Sequence, residues 1–189
     1  MIDDLTKRRL LDVARAAVRA QVLGHPLPVA PVDLVLVGAG VFVSLHHGRR
    51  LRGCLGTLGD REPLAEAVAR LAAAVCHQDP RFPPVHPDEL EAIAVEISVL
   101  SPRQLVADKS EIEVGRHGLI VEQGWRTGLL LPQVAVEHGW DRDGFLAHTC
   151  LKANLPRDAW RKGASVYRFE ADAFAEPGPG DERLHGGHR

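Results

Sequence analysis

The stretch LRGCLGTLGD, residues 51–60, places a lone thiol between two glycines and two residues after an arginine. If the stretch is a strand, Arg52 and Cys54 point to the same face, roughly 6.5–7 Å apart along the chain. From there the Arg52 guanidinium is able to approach the sulfur and lower the pKa of the thiol. The resulting thiolate is the form that attacks carbonyl groups or binds soft metals. Cys54 and Arg52 are therefore candidate catalytic residues.

The two glycines beside Cys54 call for a reason, because glycine packs no side chain and loses more entropy on ordering than other residues. Close approach of a ligand is one explanation for Gly53 and Gly56. Close approach of another chain segment, or a bulge, is the other. Free cysteine is also frequently a small buried hydrophobe. The pattern leaves a chemical role and a packing role for Cys54 open.

Strand alternation divides the motif between two faces. One face holds Leu51, Gly53, Leu55 and Thr57, and its leucines are expected to face the core. The other face holds Arg52, Cys54 and Gly56. We expect this second face to look into a cleft, toward solvent or against another backbone.

The stretch DPRFPPVHPDEL, residues 79–90, is the second region of interest. Its prolines fix the backbone, and a rigid loop is suited to positioning side chains. Arg81 is predicted to contact an anion, and Phe82 to pack the loop onto the body of the protein. The alternative, that the stretch is only a rigid connection, stays open.

The ten histidines do not form a recognisable metal motif, because neither C-x-x-C nor H-x-x-x-H spacing occurs. Scattered surface histidines are the favoured interpretation, so no metal and no cofactor is predicted. Ligands converging from distant segments remain the alternative, and the candidates are Cys54, His77, His148 and Cys150.

Nucleotide-binding loops and serine-hydrolase motifs are absent from the sequence. The stretch LKANLPRDAWRKG combines bases with Trp160, a composition that can contact nucleic acid by charge and stacking. Nearby acids dilute this charge, and the formal net charge is −2, so a solvated helix end is favoured and a nucleic acid partner is not expected. Trp125 and Trp140 are expected to pack at hairpin and helix junctions.

Composition indicates a soluble globular protein of one domain, with 189 residues, 45% apolar and 25% charged. No apolar run approaches the roughly 20 residues of a spanning helix, so no membrane association is expected. The amino terminus does not resemble a signal peptide. Three widely spaced cysteines then favour reduced thiols and a cytoplasmic location.

Hydrophobic periodicity predicts helices and strands without a regular βαβ repeat, which indicates an α+β fold. The predicted helices cover 2–23, 62–79, 132–139 and 142–153, with a short one at PDELEAI. Leu10, Ala14, Ala17, Val18, Gln21 and Val22 form the apolar stripe of the first helix. The predicted strands cover 33–37, 40–46, 50–57, 94–101, 118–123, 126–131 and ASVYRFEADAF. Residues 175–189 form a Gly- and Pro-rich tail that is predicted to be disordered.

Several stretches together resemble the AMMECR domain family, which includes AmmeMemoRadiSam system protein A. They are GVFVSL, LRGCLGTL, DPRFPPVHPDEL, EISVLS, GLIVEQG, LLPQVAVEHGW and FLAHTCLKANL. The resemblance covers a single domain over residues 5–174. Leu55 and Asn154 depart from the isoleucine and glycine usual in the family, and asparagine is the next best residue for a left-handed turn.

The resemblance implies two intertwined lobes with mostly antiparallel sheets, flanking helices and a cleft lined partly by LRGCLGT. It also implies an accessory or binding component that acts with a MEMO-like protein and a radical SAM enzyme. The radical cofactor would belong to the partner, because this chain lacks the cysteine triad of an iron–sulfur site.

Two functions follow from the motif and this resemblance. In the first, the cleft binds a small molecule or a peptide, and the candidate ligand-binding residues are Arg52, Gly53, Gly56, Thr57 and Arg81. In the second, the protein is an enzyme that uses Cys54 as a nucleophile or redox thiol, assisted by a histidine that sequence does not identify.

Overall fold

The computed structural model describes residues 2–29, 40–59 and 62–177. The helices in these ranges are α1 (Asp4–Leu23), α2 (Leu64–Val75), α3 (Pro132–Glu137) and α4 (Arg142–Lys152). The strands are β1 (Gly40–His47), β2 (Arg50–Leu58), β3 (Ile93–Leu100), β4 (Gln104–Leu105), β5 (His117–Gln123), β6 (Arg126–Leu130) and β7 (Ser165–Ala175). Helices and antiparallel strands mix as predicted, which confirms the α+β class. The strand predicted at 33–37 and most of the predicted tail, 178–189, lie outside the described residues.

The chain forms two compact units, and the first unit is built from two separate stretches of the sequence. The first unit runs to Val99 and resumes at Asp172, and the second unit is Leu100–Ala171. Strand β7 therefore contributes residues to both units.

The first unit contains the order β2-β1-β3, with β1 and β2 antiparallel. Its core is aliphatic and is formed by β1, β3, α1 and α2. Asp3 caps α1 by accepting a hydrogen bond from the Thr6 amide at 2.9 Å, and Gly24 ends it with φ +71°. The predicted apolar stripe of α1 is buried from Leu10 to Val18, but Gln21 is exposed.

In the second unit, β4 and β5 pair with β7, and β6 pairs with β5. Its core centres on Phe145, which is fully buried. Helices α3 and α4 pack on these strands. Asn154 takes φ +54° after α4, so the left-handed turn expected at this residue is confirmed.

Trp125 does not pack at a junction as predicted, because it lies at the tip of the β5–β6 hairpin. The hairpin closes through a two-residue turn, Gly124 and Trp125, and Gly124 has φ +62°. The indole is 88% exposed, with the Arg126 guanidinium 5.4 Å from its ring centroid. Trp140 is partly buried against the second core, as expected.

Candidate functional site

Cys54 lies on β2, directly opposite Ser44 of β1, and the residue is partly exposed. The opposite face of β1 supplies core residues, because Val41, Val43 and Leu45 are buried. Alternation then places the other face of β1 beside Cys54, with Phe42, Ser44 and His46. We call Phe42, Ser44, His46, Cys54 and Gly56 the Cys54 face. It belongs entirely to the first unit.

Leu51 does not face the core as predicted, because β2 contains a bulge. The register changes between Leu45, which is opposite Gly53, and His46, which is opposite Leu51, so Arg52 is the extra residue. An extra residue resets the alternation of the strand. Leu51 is therefore 39% exposed, whereas Leu55 packs against the core as predicted.

The glycines beside Cys54 accommodate the protein's own side chains. A Cβ at Gly53 would lie 3.0 Å from Val75 Cγ2 and 3.2 Å from the Val75 carbonyl oxygen. A Cβ at Gly56 would lie 2.1 Å from the Phe42 ring, because these two residues are directly opposite in the register. Of the two explanations for the glycines, close approach of a neighbouring segment accounts for both positions.

The Arg52 guanidinium is fully engaged within the first unit. Its Nε and Nη2 donate to the two carboxylate oxygens of Glu89 at 2.7 and 3.0 Å. Its terminal nitrogens also donate to the carbonyls of Pro83 and Pro84, at 2.9 and 3.1 Å. The hydrogen bonds from Arg52 to the Glu89 carboxylate lower the pKa of Glu89 to about 2. Arg52 thus anchors the proline-rich loop, and its charge is matched by a carboxylate rather than left for a ligand.

Asp79 connects the loop to the Cys54 strand. Its side chain is 3% exposed, and its carboxylate accepts a hydrogen bond from the Cys54 backbone amide at 2.9 Å. Arg81 Nε and Nη2 donate to the same carboxylate at 2.9 and 2.7 Å. These side-chain hydrogen bonds, together with the amides of Cys54 and Arg81, hold the pKa of Asp79 well below its usual range.

Arg81 is the cation that the structure brings near the Cys54 thiol. The hydrogen bonds that Arg81 donates to Asp79 raise the pKa of Arg81. The electrostatic interaction between Arg81 and Cys54 contributes to the same shift. The Arg81 side chain remains 57% exposed, and its guanidinium carbon lies 5.4 Å from the Phe82 ring centroid. The sequence pattern predicted that Arg52 lies beside the thiol, and the roles of Asp79 and Glu89 were not predicted. The Asp-x-Arg spacing inside a proline-rich loop is the signal that points to Asp79.

Thr57 and Cys54 lie on different faces of β2. Thr57 lines a cavity of about 210 Å³ with Leu58, Gly59 and residues at the start of α2. The predicted ligand-binding residues are therefore divided: Gly56 and Arg81 accompany Cys54, whereas Gly53 and Thr57 belong to the opposite face.

His46 is the histidine that strand alternation places on the Cys54 face. Its Nε2 atom lies 4.0 Å from a carboxylate oxygen of Glu96, is shielded from solvent and has no hydrogen-bond partner among the described residues.

The three cysteines differ sharply in environment. Cys76 and Cys150 are buried, one in each core, and none of the three forms a disulfide. Burial raises the pKa of Cys76 to about 11 and also raises that of Cys150. Of the three cysteines, Cys54 is the partly exposed one.

Among the residues that the structure describes, no group of three or more histidine, cysteine, aspartate or glutamate side chains is arranged to hold a metal ion. The distant candidates for a shared metal, Cys54, His77, His148 and Cys150, are thus not gathered into such a group. No helix in the described ranges is both long and apolar enough to cross a membrane.

Residues 11–174 match the sequence model of the AMMECR1 family. A protein of Methanothermobacter thermautotrophicus is 44% identical over 181 residues, which cover 90% of this chain and 94% of that protein. Protein MJ0810 of Methanocaldococcus jannaschii is 46% identical over 152 residues, 76% of each chain. The crystal structure of an uncharacterised protein, PH0010 from Pyrococcus horikoshii, is similar with a TM-score of 0.86 and 41% identity, covering 94% of this chain and 95% of that one.

Proposed function

The chain belongs to the AMMECR1 family, and we propose that it is a binding component that acts with a MEMO-like protein and a radical SAM enzyme. The Cys54 face, together with Arg81, is the proposed contact surface for an anionic group of a peptide or small molecule. The observation that carries this proposal is the fixed and exposed Arg81. Its guanidinium is held by the buried Asp79 while most of the side chain stays in solvent.

The geometry favours binding over strong activation of the thiol. Asp79 pairs with Arg81, so the field at the Cys54 sulfur is that of an ion pair and weaker than that of a lone cation. Arg81 Nη1 has no hydrogen-bond partner within the described residues, and this nitrogen is able to donate to an incoming carboxylate. A guanidinium held by two hydrogen bonds also loses little further entropy when it binds.

Binding between the purified chain and candidate partners from the same genome tests the proposal. We expect isothermal titration calorimetry to detect a complex, and Arg81→Ala to weaken it at least tenfold, as loss of a charge-assisted hydrogen bond predicts. Arg8→Ala removes an exposed arginine from α1 of the same unit and should leave the affinity unchanged. Thermal unfolding of both variants controls for folding. If no complex forms and the partners' activity does not depend on this chain, the proposal is wrong.

A cysteine-dependent enzyme is the second candidate, and the partial exposure of Cys54 beside Arg81 favours it. His46, on the same face, is the proposed proton carrier. The rate of Cys54 alkylation against pH tests this function in a background carrying Cys76→Ser and Cys150→Ser. A nucleophilic thiol should react faster at neutral pH than a free peptide thiol, and Arg81→Gln should slow it. Alkylation no faster than that of the peptide removes the nucleophile mechanism.

A further inference from the structure

The second unit contains a polar pocket that the Cys54 motif does not touch. Its volume is about 600 Å³, and three arginines and one histidine are among the side chains that line it. These are Arg116, Arg142, Arg168 and His117, and all lie within Leu100–Ala171. Neither the family assignment nor the proposed function uses this pocket.

His117 is a largely buried residue that carries a hydrogen-bond donor unused by the described residues. The residue is 6% exposed, and its Nδ1 accepts a hydrogen bond from the Glu113 backbone amide at 3.0 Å. Burial, reinforced by Arg168 and Arg116, lowers the pKa of His117, so the ring is neutral near pH 7. A neutral ring whose Nδ1 accepts must carry its proton on Nε2. No described residue accepts a hydrogen bond from that Nε2–H group.

Arg168 supplies a second unused donor beside His117. Arg168 of β7 pairs with Leu119 of β5. Because Leu119 and His117 lie on the same face of β5, the side chains of Arg168 and His117 lie on the same face of the sheet. Arg168 Nη1 donates to the Glu111 carbonyl at 2.7 Å. Its Nε is shielded from solvent and has no partner among the described residues. A buried polar group without a partner costs free energy, which an acceptor on a ligand would relieve.

Arg142 contributes further donors from the first residue of α4. Its Nε donates to the Ile112 carbonyl at 2.9 Å, which fixes the side chain at the pocket. Its two terminal nitrogens make no hydrogen bond to the described residues. A guanidinium presents such a pair of nitrogens in the geometry that matches a carboxylate.

The acids of the pocket are already occupied or lie in solvent. Glu113 and Glu170 are 63% and 54% exposed, and both pair with Arg116, at 3.2 and 2.9 Å. The Glu111 carboxylate accepts from the backbone amides of Ala107 and Asp108, each at 3.0 Å. Among the described residues that line the pocket, the side-chain atom that is shielded from water and lacks a partner is Arg168 Nε, which is a donor. Three glutamates offset the three arginines, which disfavours a ligand of high negative charge.

We propose that this pocket binds the carboxylate of a small organic molecule, with His117 Nε2–H, Arg168 Nε–H and the Arg142 terminal nitrogens as donors. A carboxylate adds a single negative charge near the three glutamates, whereas a phosphate dianion adds two. The ligand class is thus a monocarboxylate.

Titration of the full chain with sodium acetate, followed by NMR, tests the proposal. We expect saturable shifts of the His117 ring and of the amides around it, with the ring in its Nε2–H form. His117→Asn keeps an acceptor for the Glu113 amide and removes the Nε2–H donor. It should weaken acetate binding about tenfold to a hundredfold, as expected for a hydrogen bond to a charged group. Arg142→Ala should weaken it to a similar extent.

The control is Arg157→Ala, which removes an exposed arginine of the same unit outside the pocket and should leave acetate affinity unchanged. The amide spectrum of each variant shows whether it is folded. The proposal is overturned if acetate produces no saturable shift, or if His117→Asn and Arg142→Ala both bind acetate as the wild type does. Inorganic phosphate is titrated in parallel, and tighter binding of phosphate than of acetate would overturn the assignment of a monocarboxylate.

Discussion

At the scale of single residues, two carboxylates determine the surroundings of Cys54. Glu89 binds Arg52, and Asp79 binds both Arg81 and the Cys54 amide. The two arginines therefore have different roles. Arg52 holds the loop, with a side chain that is 13% exposed, and Arg81 is 57% exposed.

The Glu89–Arg52 pair predicts a loss of stability in acid. Folding lowers the pKa of Glu89 from 4.5 to about 2, so its contribution is complete above pH 4.5 and is lost as the pH falls toward 2. Urea unfolding of the wild type and Glu89→Gln at pH 7 and pH 2.5 measures this. The wild type should lose more unfolding free energy than the variant, by roughly 1 kcal/mol after allowance for solvent screening. An equal loss in both proteins would contradict the assignment.

At the scale of elements, each unit contains a strand pair in which a phenylalanine covers a glycine. Phe42 lies over Gly56 between β1 and β2, and Phe169 lies over Gly118 between β7 and β5. In each pair the glycine leaves the space that the ring fills, an arrangement known from sheets in which an aromatic side chain compensates for a strand glycine. The motif glycine Gly56 thus has a packing role that is independent of any ligand.

Arg15 fixes α1 to three other parts of the first unit. It pairs with Glu176, which follows β7, and its terminal nitrogens donate to the carbonyls of Leu90 and Ile93 at 3.1 and 2.7 Å. Glu176 in turn accepts from the Val95 amide at 2.8 Å. A residue on the helix therefore satisfies groups at a loop, a strand and the end of β7.

Arg15→Ala should lower the unfolding free energy by about 2–4 kcal/mol, because it leaves a partly buried carboxylate and two carbonyls without their donor. Arg8→Ala on the same helix is the matched control, and an exposed arginine there should change stability by less than about 0.5 kcal/mol. Urea denaturation monitored by circular dichroism gives both values. Similar effects of the two substitutions would show that the Arg15 contacts do not contribute.

At the scale of the whole molecule, the chain builds two cores and buries one cysteine in each. Cys76 is 3% exposed in the first core, and Cys150 is fully buried in the second. Strand β7 contributes residues to both units, so loss of its pairing in one unit withdraws support from the other.

Cysteine labelling at increasing urea concentration is expected to expose Cys76 and Cys150 at the same midpoint, because the shared strand couples the two units. Cys54 should react before unfolding begins, since it is partly exposed. Mass spectrometry of digested, alkylated protein resolves the three sites, and a Cys54→Ser variant identifies the native reaction. Two well-separated midpoints for Cys76 and Cys150 would show that the units unfold independently.

The sequence alone determined the class of fold, most of the elements and the family. Periodicity and caps are local properties, so the ends of α1 and the hairpin between β5 and β6 follow from residues such as Asp3, Gly24 and Gly124. The proximity of Arg81 and Cys54, and the capture of Arg52 by Glu89, were not predictable in this way. They depend on a bulge in β2 and on a loop more than twenty residues further along the chain, and side-chain partners at that separation meet only in the tertiary structure.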